Sequence, residues 1–304
     1  MKILLLGRNG QLGWELQRSL APLGEVIALS SQAQDNPNQC CGDLANLEGL
    51  RQTLRALAPD LVVNAAAYTA VDKAQTDTQH AYAVNALAPA LLAEETLRLG
   101  AWLVHYSTDY VFDGSGQQPW RETDACAPLS VYGASKRQGE LEVARNPRHL
   151  ILRTSWVYAA RGSNFAKTML RLGAEREELR VIDDQMGAPT GAELLADVSA
   201  TALRQAMAQP ALAGLYHCAA AGQTSWHGYA QFVLQEARAL GMPVRVSHER
   251  LMPIKSADYP VAAPRPLNSR LDCARIADVF SLHLPFWQLG VRRILQEIAT
   301  TKNP

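Results

Sequence analysis

Short apolar runs recur through the first half of the chain, each followed by a stretch whose apolar residues lie three or four apart. Ile3-Leu4-Leu5-Leu6 is the first, and Leu12, Leu16 and Leu20 follow it with polar residues between. A continuous apolar run of strand length fits a strand covered on both faces, and the 3–4 spacing is that of a helix with one apolar stripe. Further strands are predicted over Glu25 to Leu29, Leu61 to Asn64, Trp102 to Tyr106 and His149 to Thr154. Helices are predicted from Leu47 to Leu57, from about Asp77 to Leu99, and around Tyr132 to Lys136. Strict alternation of strand and helix implies right-handed crossovers and a doubly wound, parallel α/β sheet with ligands at the strand C-terminal ends. Beyond about residue 160 the alternation loosens, and Pro253, Pro260, Pro264 and Pro266 mark a boundary crossing or a substrate-embracing loop, with a plain surface connection as the competing explanation.

Two motifs fall at those strand ends. Gly7-Arg8-Asn9-Gly10-Gln11-Leu12-Gly13 stands between the first strand and the first helix. Glycines there let the backbone turn tightly and approach a pyrophosphate, whose charge sits at the helix N-terminus, so the turn reads as a Rossmann-like dinucleotide site. The first two glycines are three apart rather than two, and an ordinary strand-to-helix turn is the competing explanation. Asp43-Leu44, after the second strand, places a carboxylate where it would accept from an adenine amino group. The second motif is Tyr132-x-x-x-Lys136, with Ser107-Thr108-Asp109 upstream. Residues four apart share a helix face, and an ammonium beside a phenol lowers its pKa from about 10 toward usable acid–base chemistry. Alone, that spacing usually marks a solvated helix face; its weight comes from its company.

Composition narrows the class without deciding it. The 29 Lys and Arg balance 29 Asp and Glu, which gives no electrostatic case for nucleic acid or an anionic membrane. Cysteines 40, 41, 126, 218 and 273 form no C-x-x-C pair and read as reduced cytoplasmic thiols rather than a disulfide or zinc frame. Only four apolar residues follow Met1-Lys2 before Gly7, so a signal peptide is not expected, and no apolar run has membrane-spanning length. His105, His217 and His227 read as structural.

The glycine spacing, Asn64-Ala65-Ala66-Ala67, Ser107-Thr108-Asp109 and Tyr132-x-x-x-Lys136 resemble the extended short-chain dehydrogenases/reductases. More narrowly, Gln11 to Leu16, Thr69 to Ala74, His105 to Phe112, Arg153 to Tyr158, Asn164 to Met169, Gly187 to Thr190 and Arg265 to Ser269 are similar to phrases of the dTDP-4-dehydrorhamnose reductase family. The resemblance spans nearly the whole chain. It implies reduction of a dTDP-4-ketosugar with NADPH or NADH, a dinucleotide-binding domain over residues 1–160 with later segments returning to it, and mainly a smaller C-terminal substrate-binding lobe over 161–304. Thr108, Tyr132 and Lys136 would be catalytic: Tyr132 donates the proton, Lys136 lowers its pKa and holds the nicotinamide ribose, and Thr108 orients the carbonyl. Asp109 and Trp156 would contact the sugar. Gly7, Arg8, Gly10, Gln11, Leu12, Gly13, Ser30, Asp43, Leu44, Ala65, Ala66, Ala67, Tyr68, Thr69 and Tyr106 would hold the cofactor with Tyr132 and Lys136. Glu15, Glu193 and Glu297 match positions linked in some members to Mg²⁺-bridged homodimers, although the chemistry needs no metal.

Two other classes stay open on sequence. A dehydratase would need a second carboxylate after Asp109, where Tyr110 stands, whereas an epimerase would not. A regulatory subunit of methionine adenosyltransferase also resembles this family; retention of Thr108, Tyr132, Lys136 and the three glycines favours an enzyme. Ala28-Leu29-Ser30-Ser31 lacks the acidic residue that ends the second strand of NAD-selective sites, so NADPH is expected to serve at least as well as NADH, with Arg8 beside a 2′-phosphate.

Overall fold

The structure, a computed structural model, describes residues 1–302. Strands β1 (Lys2–Leu6), β2 (Glu25–Leu29), β3 (Leu61–Asn64), β4 (Trp102–Thr108) and β5 (His149–Thr154) fall on the apolar runs. Short strands follow: β6 (Val157–Tyr158), β7 (Leu179–Ile182), β8 (Met186–Gly187), β9 (Thr190–Gly191), β10 (Gly214–His217), β11 (Thr224–Ser225) and β12 (Leu251–Ile254). Six strands form one parallel sheet in the order β10-β5-β4-β3-β1-β2. The doubly wound parallel α/β sheet expected from the sequence is therefore present. Its edge strand β10 arrives from far along the chain.

Helices α1 (Gln11–Leu20), α2 (Leu47–Leu57), α3 (Val71–Ala74), α4 (Thr78–Tyr82), α5 (Ala88–Leu99) and α6 (Val131–Val143) occupy the first half. The second half carries α7 (Phe165–Glu175), α8 (Ala192–Ala208), α9 (Trp226–Ala239), α10 (Ala274–Phe280) and α11 (Trp287–Lys302). One core joins a sheet face to α1, α8 and α10 through Leu16, Leu195, Leu203 and Phe280, and another joins the opposite face to α2, α5 and α6 through Leu54, Leu92 and Val143. A third core is built wholly from residues between 158 and 298, on α7, α9, α11, β7 and β12.

The predicted helix from Asp77 to Leu99 is continuous but not uniform. A π turn, Ala83–Leu87, joins α4 to α5, with Pro89 in the first turn of α5. Proline has no N–H to give the carbonyl four residues back, here that of Asn85, so the ladder widens at this point. The side chain of Asn85 then reaches outward. Its Oδ1 accepts from Tyr68 N at 2.9 Å, and its Nδ2 donates to Tyr68 O at 3.0 Å and to Ser135 Oγ at 3.1 Å. One buried amide thus fixes the loop after β3 against α6.

Helix α6 begins with Ser130 accepting from Gly133 N and buries Lys136 and Glu140 one turn apart against β4 and β5. Glu140 meets Arg153 of β5 in a two-pronged ion pair, Nε to Oε1 and Nη2 to Oε2 both at 2.7 Å, with each side chain 1% exposed. Arg137 adds a third bond at 2.7 Å. Burial acts first on the carboxyl and would raise its pKa; the Arg153 hydrogen bonds override it and hold Glu140 below the usual range. Removing one partner leaves the other charged and dry, which typically costs about 3–5 kcal/mol. Glu140→Ala is accordingly expected to lose about that much stability in urea unfolding at pH 7; a loss under 1 kcal/mol would show that the pair does not tie α6 to the sheet.

Candidate active site

A cleft of about 530 Å³ runs along the C-terminal ends of β1, β3 and β4. Gly7, Gly10, Gln11, Leu12, Ser30, Asp43, Leu44, Ala65, Ala66, Ala67, Tyr68, Thr69, Tyr106, Tyr132 and Lys136 line it, which gathers most of the residues expected to hold a dinucleotide. The glycine turn explains itself sterically. Gly7 has φ +90, and a Cβ there would lie 2.8 Å from Ala66 N; a Cβ on Gly13 would lie 2.0 Å from Gly7 O. The turn is thus folded onto the first turn of α1, and Gly13 serves this close approach without reaching the cleft. No side chain caps α1 and no acidic residue stands in its first turn, so its N–H groups remain available to an anion. This donor set fits a pyrophosphate.

Arg8 lies elsewhere than expected. Its guanidinium donates to Ala28 O at 3.3 Å and Asp35 O at 2.6 Å, beside the end of β2 but outside the cleft lining. Backbone carbonyls are strong acceptors, and two of them hold the guanidinium here. Ser30 is clasped by Asn36, whose Oδ1 accepts from Ser30 N at 2.8 Å and whose Nδ2 donates to Ser30 O at 2.9 Å. Asn9, Ser31, Ser107 and Thr154, each within a motif or phrase but not named as a contact, also line the cleft, as do His80 and Leu195, which carried no sequence signal.

At one end of the cleft stands a compact hydroxyl–carboxyl cluster. Thr108 Oγ1 donates to Asp109 Oδ1 at 3.1 Å and accepts from Tyr110 N at 3.2 Å, and the Tyr132 phenol stands near enough for Thr108 to act on its titration. Burial pushes Asp109 up to about 6, with stabilisation of the charged form by Ser269 and Thr108 opposing it. Ser269 lies near the carboxylate, yet Asp109 Oδ2 has no partner of normal hydrogen-bond geometry. Tyr110 packs edge-on to Tyr132, with ring centroids 5.5 Å apart.

The expected lowering of the Tyr132 pKa by Lys136 is corrected here. Burial, the largest cause, pushes the phenol up to about 12; the Thr108 hydrogen bond opposes this and the Asp109 charge adds to it. Lys136 does not offset these effects because its Nζ is turned to β4, 2.6 Å from Tyr106 O and 3.3 Å from His105 Nε2. Burial also brings Lys136 down to about 8, against the favourable charge of Glu140. The phenol is therefore held protonated, which is the form a proton donor requires. Thr108 differs from expectation too: to donate to a substrate oxygen it must turn its proton away from Asp109.

Trp156 follows β5 with φ +48, a left-handed conformation costly for a bulky side chain. Its indole stacks on Trp226 at 3.6 Å between centroids and 14° between planes. Trp226 in turn donates to Gln185 Oε1 at 3.0 Å. One face of Trp156 is thus already covered. Arg265 and Ser269, from a phrase noted only for its resemblance, approach the Asp109–Tyr110 side of the site: Arg265 pairs with Asp72 at 2.7 Å and its charge acts on Tyr110, and Ser269 acts on Asp109.

Glu15, Glu193 and Glu297 are mutually close enough that the negative charges of Glu15 and Glu297 reinforce the upward shift that burial gives Glu193. Among the described residues, however, no three His, Cys, Asp or Glu side chains are arranged to hold a metal ion. Glu193 instead lines a second cavity of about 230 Å³ with Tyr158, Asp197, Phe286, Trp287 and Arg293.

A glycine turn on a helix N-terminus, a parallel sheet, and a Thr-Tyr-Lys group at one end of the cleft are the arrangement of the extended short-chain dehydrogenases/reductases, enzymes that use a nicotinamide cofactor. Comparison with known proteins narrows this. Residues 1–300 match the family model described as RmlD substrate binding domain. The dTDP-4-dehydrorhamnose reductase of Escherichia coli K12 is 53% identical over 302 residues, covering 99% of each chain. A crystal structure of a dTDP-4-dehydrorhamnose reductase from Clostridium acetobutylicum superposes with a TM-score of 0.86 at 34% identity, covering 98% of this chain and 99% of that one. The enzyme of the same name from Bacillus anthracis, solved in complex with NADP, gives 0.84 at 32% identity, covering 97% and 99%. The chain belongs to the dTDP-4-dehydrorhamnose reductase family.

The raised Asp109 pKa makes stability depend on pH. Its folded value of about 6 exceeds the ordinary 3.8, so the folded state holds a proton that the unfolded state has lost. Stability therefore falls as pH rises from about 4 to about 6, by about 3 kcal/mol for a shift of about 2 units, and stays level above. Asp109→Asn should match the parent near pH 4 and exceed it by about that amount at pH 7.5 in urea unfolding. An equal difference at both pH values would contradict this reading.

Proposed function

We infer that the chain reduces the 4-keto group of dTDP-4-dehydro-L-rhamnose to give dTDP-L-rhamnose, using NADPH or NADH. The observation that carries this reading is that Tyr132 and Lys136 line the same cleft as the glycine turn and the uncapped N-terminus of α1. Full-length identity of 53% to a reductase of that name supplies the substrate. When bound, the nicotinamide supplies the hydride. Everything else falls to the chain. Gly7, Gly10 and the first turn of α1 hold the pyrophosphate, and Ala65, Ala66 and Tyr68 line the path beside it. Tyr132 gives its proton to the substrate oxygen as negative charge grows there, and Thr108 orients that oxygen. Lys136 stabilises the phenolate left behind and holds ribose hydroxyls through whichever N–H groups β4 does not use. Asp109 and the uncovered part of Trp156 contact the sugar.

The family pattern also supports a homodimer. Trp14, Phe286 and Leu289 are exposed apolar side chains, with Trp14 next to Glu15 on α1 and the other two on the cavity that Glu193 lines. A bridging Mg²⁺ would need oxygen ligands from both copies. No step of the reduction passes through it.

The test of the main reading is turnover of dTDP-4-dehydro-L-rhamnose with NADPH and with NADH, followed by loss of nicotinamide absorbance and NMR of the product. Tyr132→Phe and Lys136→Met should each lower kcat by about 10²–10⁴-fold while the protein stays folded; near-parental kcat in Tyr132→Phe would sink the mechanism. NADPH should serve at least as well as NADH, and Ser30→Asp should move preference toward NADH, since a carboxylate there repels a 2′-phosphate. A parental kcat/KM favouring NADH more than about tenfold would refute the cofactor reading. EDTA should leave turnover intact and, at most, weaken association in sedimentation. Complete loss of turnover by folded protein in EDTA would give the metal a role in the chemistry.

A further inference from the structure

His105 is 1% exposed and is used by neither the hydride path nor the sugar contacts. Its two ring nitrogens are both engaged: Nε2 lies 3.3 Å from Lys136 Nζ, and Nδ1 lies 3.2 Å from Asn64 Nδ2. Burial, with the Lys136 charge adding, holds the imidazole well below its ordinary pKa, so it is neutral and carries one N–H. A neutral imidazole donates through one nitrogen and accepts through the other. An ammonium has donors only. If Lys136 is charged, Nε2 must accept, Nδ1 carries the hydrogen, and Asn64 must turn its oxygen toward the ring.

In the orientation seen here Asn64 Oδ1 instead accepts from Ala66 N at 3.3 Å, and its amide nitrogen faces His105. That arrangement places N–H on Nε2 and suits an uncharged Lys136. A half-turn of the Asn64 amide reverses both ends of the chain. It also releases Ala66 N–H, in a residue that lines the cofactor cleft. The charged form of Lys136 thus requires one orientation of this buried amide, whereas the neutral amine, which both donates and accepts, tolerates either.

We propose that His105, oriented by Asn64, is a positioning residue that holds the charged form of Lys136 by accepting its hydrogen bond through Nε2 during turnover. The proposal rests on the assignment of Lys136 to the reaction. The groups that act on Lys136 are few: Glu140 on its own helix, where Tyr132 lies one turn earlier, and His105 and the Tyr106 carbonyl on β4. Arg153 of β5 and Arg137 are spent on Glu140. From the α4–α5 side comes the uncharged Asn85–Ser135 contact, and His80 of α4 lines the same cleft.

The test measures Lys136 itself. In protein labelled with ¹³C at lysine Cε, its signal is assigned by its absence in Lys136→Met and titrated with NADP⁺ bound. His105→Leu should lower the midpoint by about one unit or more, the scale of one hydrogen bond to a charged group. His105→Gln, which keeps an acceptor on the side chain, should recover most of that shift. The basic limb of the kcat profile should move with the midpoint. In parental protein, ¹⁵N spectra of the His105 ring with NADP⁺ bound should show Nε2 unprotonated, a readout that does not depend on any variant folding. An unchanged midpoint, an upward shift, or an Nε2–H tautomer would overturn the proposal. Parental protein that shows the expected titration but no turnover would instead refute the assigned reaction.

Discussion

The site depends on burying one polar stripe of α6 between the sheet and the cleft. Tyr132, Lys136 and Glu140 lie four residues apart, so the helix presents them in a row. Apolar contacts cannot satisfy them. The strands supply their surroundings: Thr108 beside the phenol, Tyr106 O and His105 as partners of the ammonium, Arg153 as partner of the carboxylate. β4 and β5 are adjacent, with Thr108 opposite Thr154 and Ser107 opposite Arg153, so one register delivers all three partners at once. A one-residue slip of that register would turn Arg153 to the opposite face, away from Glu140. Catalytic geometry and the pairing of these strands are in this sense the same constraint.

Dryness then sets the chemistry. Water excluded from the cluster raises the cost of every unpaired charge, so Tyr132 stays a phenol, Lys136 moves toward neutrality and Asp109 titrates near neutral pH. These shifts suit reduction, in which the resting donor must hold a proton and negative charge appears only as the carbonyl becomes an alkoxide. Lys136 contributes when charge develops, and that is the moment at which stabilisation accelerates a reaction.

Local pattern made much of this legible in the sequence. Apolar runs located β1 to β5, and the glycine and Tyr-Lys motifs fell at strand ends that parallel alternation brings together. Resemblance supplied Trp156 and the lining of the cleft. What sequence did not reveal comes from distant contacts. Tyr106 bonds Ser199 of α8 at 2.8 Å, and Ser269 reaches Asp109, across separations that no periodicity records. Spacing alone puts Lys136 beside Tyr132, yet the lysine bonds β4 because a backbone carbonyl lies closer to hand. Trp156 read as a sugar platform, whereas Trp226 covers one of its faces. The π turn at Ala83–Leu87 follows from Pro89, but Asn85's grip on Tyr68 and Ser135 requires three elements to be in place.

The central claim is that Tyr132 itself passes a proton to the substrate oxygen as hydride arrives. Isotope effects address it most directly: turnover of dTDP-4-dehydro-L-rhamnose with deuterated and ordinary NADPH, each in H₂O and D₂O, for the parental protein and for Tyr132→Phe. The account predicts a solvent isotope effect on the hydride-transfer step in the parental protein that disappears in Tyr132→Phe, while the effect of deuterated NADPH persists or grows. An undiminished solvent effect in Tyr132→Phe would contradict it, because the proton would then come from another group.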